Sequence, residues 1–553
     1  MDFFRSKSFS SQVRHLMDQH HVPGFAVAIV QDDETASAAY GLASLNPEKP
    51  CTPDTLFDIA SCSKSMTATS VALLVQDNKK HPEVQWDATM SSLLPEDFVM
   101  PDPEDTKRVT IDDVVSHMTG MADNEGSLMG PTAAHPDNPR SITRNLRNLP
   151  MAHPFRAKYD YCNIMFVAAA HLVAEKSGQT FNDFLEKRIF KPLKMTSTSL
   201  QPASAIAKGL GDRLASGHDW VEDKEELIEF PTITSAEGEG AGCVITSAND
   251  LIKWVKALLN REGPISEKVY RGLVRLRAIC DPAAKYTRRF KSPEMYAAGL
   301  DVFWYRGYTV IGHWGGVPGF SSRFFFLPEM NFGAVFMGNS PGAEEVISGI
   351  SKQLINAVLN LPPVPRPLTR KDRGKSKKSS KPAKIDLPAR PKDQMVDQSK
   401  ATPNDKVKEE TQNCNEPKNE EPKEQAATED TQEPKSKDKQ PKKKKKSCPQ
   451  IKPLSDYVGS YWHPGFRRMT VSIKDDKLFI DAMDRAYYGC TLTFKHVANQ
   501  TMYAAFLNYV NDAYASDIRA EFVLDESGRA VKMGLKLEES LKDLIWFELE
   551  KDT

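Results

Sequence analysis

The sequence predicts an α/β domain over residues 1–360, a disordered basic linker over 361–450 and a small antiparallel all-β domain over 451–553. Three observations predict this order. Before residue 360, short apolar runs bounded by turn residues alternate with longer helical stretches. Between Leu361 and Gln450 there is no Phe, Trp or Tyr. After Ile451 aromatic residues return, together with apolar–polar alternation. At 553 residues the chain exceeds one ordinary domain of about 100–200 residues. It is long enough to bury a large core without disulfides or metals.

The elements follow in order. Phe25-Ala26-Val27-Ala28-Ile29-Val30 is an apolar run ending at the turn signal Gln31-Asp32-Asp33, and Ala36 to Leu42 follows it, so a strand hairpin is expected. Ser65 to Gln76 and Asn163 to Lys176 read as buried or amphipathic helices. Phe324 to Leu327 and Gly333 to Met337 read as strands split by a turn at Pro328-Glu329-Met330-Asn331, and a helix from Ala343 to Leu359 closes the domain. Residues 361–450 carry 24 Lys+Arg against 15 Asp+Glu, in a chain whose total charge is −1. So few apolar groups cannot offset the entropy of ordering, and the segment is expected to be disordered. The run Lys442 to Lys446 invites a nuclear-import or nucleic-acid reading; a solvated linker is the reading preferred here. In the last region Met469 to Ile473, Leu478 to Ile480, Glu521 to Leu524 and Val531 to Leu535 read as short strands of a small barrel or sheet.

Near-neutral charge names no partner, and no stretch of about 18 apolar residues predicts a membrane span. The first residues lack a secretory pattern. The eight cysteines form no C-x-x-C pair, which fits reduced thiols and a cytoplasmic setting. His20-His21 has no partner spacing for a metal, so neither a metal nor a cofactor is expected.

Three local patterns carry chemistry. In Ser61-Cys62-Ser63-Lys64 the serine and lysine are three apart, which places both on one face of a helix. A serine hydroxyl needs a neighbour to take its proton, and a desolvated lysine can do so. Tyr161-Cys162-Asn163 places a phenol and an amide two apart, on one side of an extended chain. A tyrosine beside an ammonium is expected to have a lowered pKa and to act as a base. The third pattern is Gly312-His313-Trp314-Gly315-Gly316, whose glycines would let a strand lie close to an acyl group and complete an oxyanion hole.

Together these motifs resemble the serine hydrolases of the class C β-lactamase and penicillin-binding protein family. S-x-x-K opens the series, Y-x-N stands in the middle, and H-x-G stands where related enzymes have K-T-G. Flanking blocks agree over about residues 10–360, namely His21-Val22-Pro23-Gly24, Ser116-His117-Met118-Thr119-Gly120, Lys191-Pro192-Leu193-Lys194-Met195 and Glu239-Gly240-Ala241-Gly242. The resemblance implies a β-lactamase-like sandwich of an antiparallel sheet flanked by helices, beside a helical subdomain, with the site between them. It implies Ser61 as nucleophile and Lys64 and Tyr161 as the proton-transfer pair. Asn163, His313, Gly315 and Gly316 would contact substrate or serve the oxyanion. The tail resembles the lipocalin-like domain that follows some hydrolases of this kind. His313 in place of the usual lysine weakens an antibiotic-hydrolysing reading and favours the esterase and D-aminopeptidase branch. The expected activity is cleavage of a small-molecule ester, thioester or small amide. The alternatives are an acyltransferase, a D-aminopeptidase or β-lactamase, and an inactive scaffold, which the presence of all three motifs disfavours. The linker's length lets the two folded modules move independently unless they share a large interface.

Overall fold

The computed structural model describes residues 1–283, 290–361, 449–486, 489–509 and 515–551. The segment expected to be a disordered linker, with its lysine run, lies almost wholly outside these described residues.

Among the described residues the first region is built on a nine-stranded antiparallel sheet. Its strands in chain order are β1 (Gly24–Gln31), β2 (Glu34–Leu45), β3 (Glu48–Pro50), β4 (Ala278–Ile279), β5 (Met295–Tyr296), β6 (Asp301–Tyr305), β7 (Tyr308–Val317), β8 (Phe320–Leu327) and β9 (Phe332–Gly338). Their order across the sheet is β3-β2-β1-β9-β8-β7-β6-β5-β4. The first strand therefore pairs with the last, Phe25 opposite Gly338. The expected hairpin is β1–β2, turning at Asp32-Asp33, and the expected pair across Pro328 is β8–β9.

Both faces of the sheet are covered, which is why β1 reads as an unbroken apolar run instead of alternating with polar residues. Phe25, Val27 and Ile29 join Phe325, Leu327 and Phe336 on one face, under α1 (Lys7–Gln19) and α5 (Ala343–Val358). Ala26, Ala28 and Val30 join Phe324, Phe326 and Met337 on the other. There α2 (Lys64–Gln76) and α4 (Ala248–Asn260) pack, and α3 (Asn163–Ser177) lies against α2 within the helical part of the domain. Helix α3 buries every residue from Ile164 to Val173, as expected of a helix that is apolar all round.

Residues 459–549 form a closed eight-stranded barrel in which each strand pairs with the next. The strands are β10 (Gly459–His463), β11 (Arg467–Lys474), β12 (Lys477–Ala482), β13 (Cys490–Ala498), β14 (Met502–Tyr509), β15 (Ala515–Leu524), β16 (Ala530–Leu535) and β17 (Ile545–Leu549). Tyr461 opposite Leu549 closes the ring, which removes every free strand edge. Its interior is packed with aromatic rings around Phe522, with Tyr457, Phe494 and Tyr503 centred 5.2, 5.9 and 5.5 Å away.

The structure meets the stated exception to independent movement. The barrel and the hydrolase-like region form one compact unit. Gly130 N donates to Asp484 O at 2.8 Å, Ala486 N to Leu128 O at 3.0 Å, and Asn145 Nδ2 to Gly465 O at 2.9 Å. Apolar residues of both belong to one continuous core. Backbone groups that bond across a boundary and shared apolar burial hold two bodies together, whatever the length of chain between them. No helix among the described residues is long and apolar enough to cross a membrane.

Candidate active site

Ser61 lies on a short 3-10 turn, Ala60–Ser63, that runs directly into α2. The residue before it, Ala60, has φ of 47°, a conformation costly for a non-glycine residue and found mostly at functional turns. The carboxylate of Asp58 holds this turn by accepting from Ala60 N at 2.7 Å. One turn along, Lys64 points back at Ser61, as the three-residue spacing requires.

Lys64 is fully buried. Its ammonium donates to Ser61 Oγ at 3.0 Å, to Asn163 Oδ1, and to the Ala241 carbonyl at 2.8 Å. The rings of Tyr161 and Phe166 flank it at 4.8 and 5.5 Å. Burial lowers its pKa to about 8, while Asp123 and Glu125 pull the other way. Asn163, the first residue of α3, has no freedom in its orientation. Its Nδ2 donates to Glu125 Oε1 at 2.7 Å and to Asp123 Oδ2 at 3.2 Å, so Oδ1 must face Lys64. Its backbone N–H also donates to Asp123 Oδ1 at 2.6 Å. Burial raises the pKa of Asp123 and of Glu125, each carboxyl opposed by the charge of Lys64.

Tyr161 has its hydroxyl beside Ser61, which favours the charged form of the phenol. Its expected low pKa is not what the structure gives. Burial raises the phenol well above its ordinary value, outweighing the opposing effect of Ser61. The ring is a neutral hydrogen-bonding phenol, because desolvation penalises a tyrosinate more than nearby groups favour it.

Strand β7 brings the third motif alongside. An added Cβ at Gly315 would stand 2.2 Å from Ile59 O and 2.4 Å from Ser322 Oγ, so only glycine lets β7 lie against the turn that carries Ser61. A Cβ at Gly316 would meet nothing within 4 Å. His313 is brought to the same neighbourhood, its ring 6.5 Å from that of Tyr161, yet both of its ring nitrogens bond to the protein itself. The structure thus gathers all seven residues singled out from the sequence.

A cavity of about 430 Å³ opens beside Tyr161, Asp123 and Glu125. Its far wall is the mouth of the barrel, where Met469, Leu492 and Leu507 supply apolar surface. Glu538, in the β16–β17 connection, also lines it. Burial lifts the Glu538 pKa to about 8. Among the described residues no group of His, Cys, Asp and Glu is arranged to hold a metal ion.

Comparison with known proteins decides the family. The model of the family described as Beta-lactamase matches residues 9–354. The chain belongs to the beta-lactamase family. A second model, a domain of unknown function termed DUF3471, matches residues 443–549, which span the barrel. Among beta-lactamase-family relatives, an unguisins hydrolase of Aspergillus campestris is 29% identical, over 99% of this chain and 92% of its own length. A D-aminopeptidase of Brucella anthropi is 25% identical, over 66% of this chain and 64% of its own. A solved octameric penicillin-binding protein homologue from Pyrococcus abyssi has the same fold, with a TM-score of 0.56 at 17% identity, over 98% of this chain and 99% of its own.

Within this beta-lactamase-family frame, sequence reasoning missed Asp123, Glu125, Glu538 and Tyr296. The acidic pair two residues apart, just after the Ser116–Gly120 block, was a readable signal. Tyr296 and Glu538 had none, because their importance rests on contacts far apart in the chain.

Proposed function

We propose that this chain is a serine hydrolase that opens an amide bond through an acyl-enzyme on Ser61. The coordination of Lys64 carries the reading. Two of its N–H groups go to carbonyl oxygens, Asn163 Oδ1 and Ala241 O, which can only accept. When the lysine sheds a proton, its lone pair is therefore left facing Ser61 Oγ. The neutral amine takes the serine proton as Oγ attacks the substrate carbonyl carbon. The oxyanion faces the backbone N–H groups of Ser61 and Gly316. Tyr161, a neutral phenol, passes its proton to the leaving nitrogen and is reprotonated from the Lys64 ammonium. Water then attacks the acyl carbon, and the same groups run in reverse to release the acid and free Ser61.

An amide is favoured over an ester or thioester because relatives over the catalytic region are named as an aminopeptidase and a hydrolase. In this reading the apolar barrel mouth receives the side group of a small acyl substrate, and Asn163 steadies its carbonyl. We take residues 1–360 as the hydrolase domain, 361–450 as a tether and 451–553 as a lipocalin-like domain. Free, buried Cys51, Cys62 and Cys162 support a reducing, cytoplasmic setting.

A fluorophosphonate probe tests the assignment. Mass spectrometry is expected to place one adduct on Ser61, and Ser61→Ala to abolish both the adduct and turnover of peptide anilides. Tyr161→Phe is expected to lower kcat by about 10²–10⁴-fold with the fold intact by circular dichroism. An adduct on Ser63, or labelling that survives Ser61→Ala, rejects the proposal.

A further inference from the structure

Behind Tyr161 runs a hydrogen-bonded chain that the reaction above does not use. The backbone N–H of Cys162 donates to His117 Nδ1 at 2.9 Å. His117 Nε2 lies 3.3 Å from Tyr296 Oη, which lies 2.8 Å from His313 Nε2. His313 Nδ1 faces the carbonyl oxygen of Trp314. Both ends of this chain are backbone groups with fixed roles, since an amide N–H only donates and a carbonyl only accepts. The direction of every bond between them follows. His117 Nδ1 must be bare, so His117 carries its proton on Nε2 and donates it to Tyr296. The Tyr296 oxygen, having accepted, sends its own proton to His313 Nε2. His313 must then carry its proton on Nδ1 and donate it to Trp314 O. The two imidazoles are neutral and are opposite tautomers.

We propose that Tyr296, His117 and His313 are positioning residues, forming an uncharged tie of fixed direction that sets the spacing between the Tyr161–Asn163 segment and the Trp314–Gly316 edge of β7. The proposal rests on the hydrolase reading above. Under that reading, the spacing is the one between the proton-transferring phenol and the oxyanion-binding strand.

The surroundings suit such a tie. His117 and Tyr296 are wholly buried and His313 nearly so. The His117 ring stacks on Tyr161 with centroids 4.2 Å apart, and Tyr159 and Phe166 close two further sides at 5.5 and 5.1 Å. His117 has φ of 59°, an unusual conformation for this residue type that persists only where the surroundings enforce it. Charge is excluded from both rings. Burial, then the nearby Lys64 ammonium, hold His313 at about 3 and His117 well below its ordinary value. Burial raises the pKa of Tyr296, and the charges of Tyr161, Tyr159, Asp301 and Cys280 add to the rise. One consequence concerns specificity. With both nitrogens engaged, His313 has no polar edge free for a substrate, so it acts through the position of β7 and not by contact.

The test uses the full chain with ¹⁵N-labelled imidazoles, assigned through His117→Gln and His313→Gln. His117 is expected as the Nε2–H tautomer and His313 as the Nδ1–H tautomer, with neither ring titrating between about pH 5 and pH 8. Tyr296→Phe keeps the ring but removes the link. It is expected to release at least one histidine from its tautomer and to lower kcat roughly 10- to 100-fold, with KM changed less than about twofold. Two histidines in the same tautomer, a ring that titrates in that interval, or a Tyr296→Phe enzyme with wild-type kcat overturns the tie. If Tyr296→Phe does not fold, the tautomers of the unaltered protein decide alone. The expected tautomers without a probe adduct on Ser61 would reject the hydrolase reading and not the tie. A Ser61 adduct with the wrong tautomers would reject the tie alone.

Discussion

At Lys64 three acceptors converge on one ammonium, and only one of them can give up a proton. Under the proposed mechanism, that arrangement makes the charge of Lys64 the setting on which activity turns. With its pKa lowered to about 8, the neutral amine gains population as pH rises through that value, so kcat/KM is expected to rise over the same interval. Asp123 is the largest of the groups that pull the lysine back toward its charged form. Asp123→Asn removes a negative charge, favours the neutral amine, and is expected to move the rising limb of the pH–rate profile to lower pH. Profiles of kcat/KM for both proteins check this, and an unmoved limb would show that Lys64 does not feel Asp123. The Ser61–Lys64 pair was legible in the sequence because a three-residue spacing has one meaning on a helix. The phenol of Tyr161 was misread for a physical reason. Its neighbours can be guessed from sequence, whereas its burial, which dominates, is a property of the assembled fold. The carboxyls that orient Asn163 were legible only as an acidic pair in a loop.

Strand β7 packs against the turn that carries Ser61, at His313 O as well as at Gly315, and neighbouring glycines there have opposite roles. Gly315 is fixed by contact with Ile59 O and Ser322 Oγ, whereas Gly316 faces open space. Gly315→Ala must lift the strand away from Ser61 and is expected to lower both Tm and kcat, the latter by roughly 100-fold. Gly316→Ala is expected to leave Tm unchanged. Thermal unfolding and steady-state kinetics on the two variants separate these outcomes, and equal Tm losses would contradict the packing described. Elements with strong periodicity were the most legible: β1–β2, β8–β9, α2, α3 and four of the eight barrel strands, β11, β12, β15 and β16, stand within a few residues of where pattern placed them. The two-residue strands β4 and β5 were not, because two residues carry no period. Yet β5 supplies Tyr296, and so one of the less legible elements holds the middle of the tie.

At the scale of the whole molecule, the barrel walls the cavity beside Tyr161 and is not an appendage. An added Cβ at Gly465 would stand 2.6 Å from Asn148 O, across the boundary between barrel and hydrolase region. Gly465→Val must push the two apart. It is expected to reduce turnover of bulky amides more than about tenfold relative to a small ester, while Ser61 still reacts with a small phosphonate. Paired kinetics with the two substrates check this, and an unchanged ratio would mean the barrel wall does not bear on selectivity. This association was invisible in the sequence, since composition reports a linker's character and not what its ends touch. The sheet order has a different consequence, for the growing chain. Strand β1 is made early but finds its second neighbour only when Phe332–Gly338 emerges, some three hundred residues later. Until then a wholly apolar strand has one edge open, the state in which nascent chains mispair or aggregate. During synthesis this strand is therefore expected to need protection from mispairing until Phe332–Gly338 can pair with it.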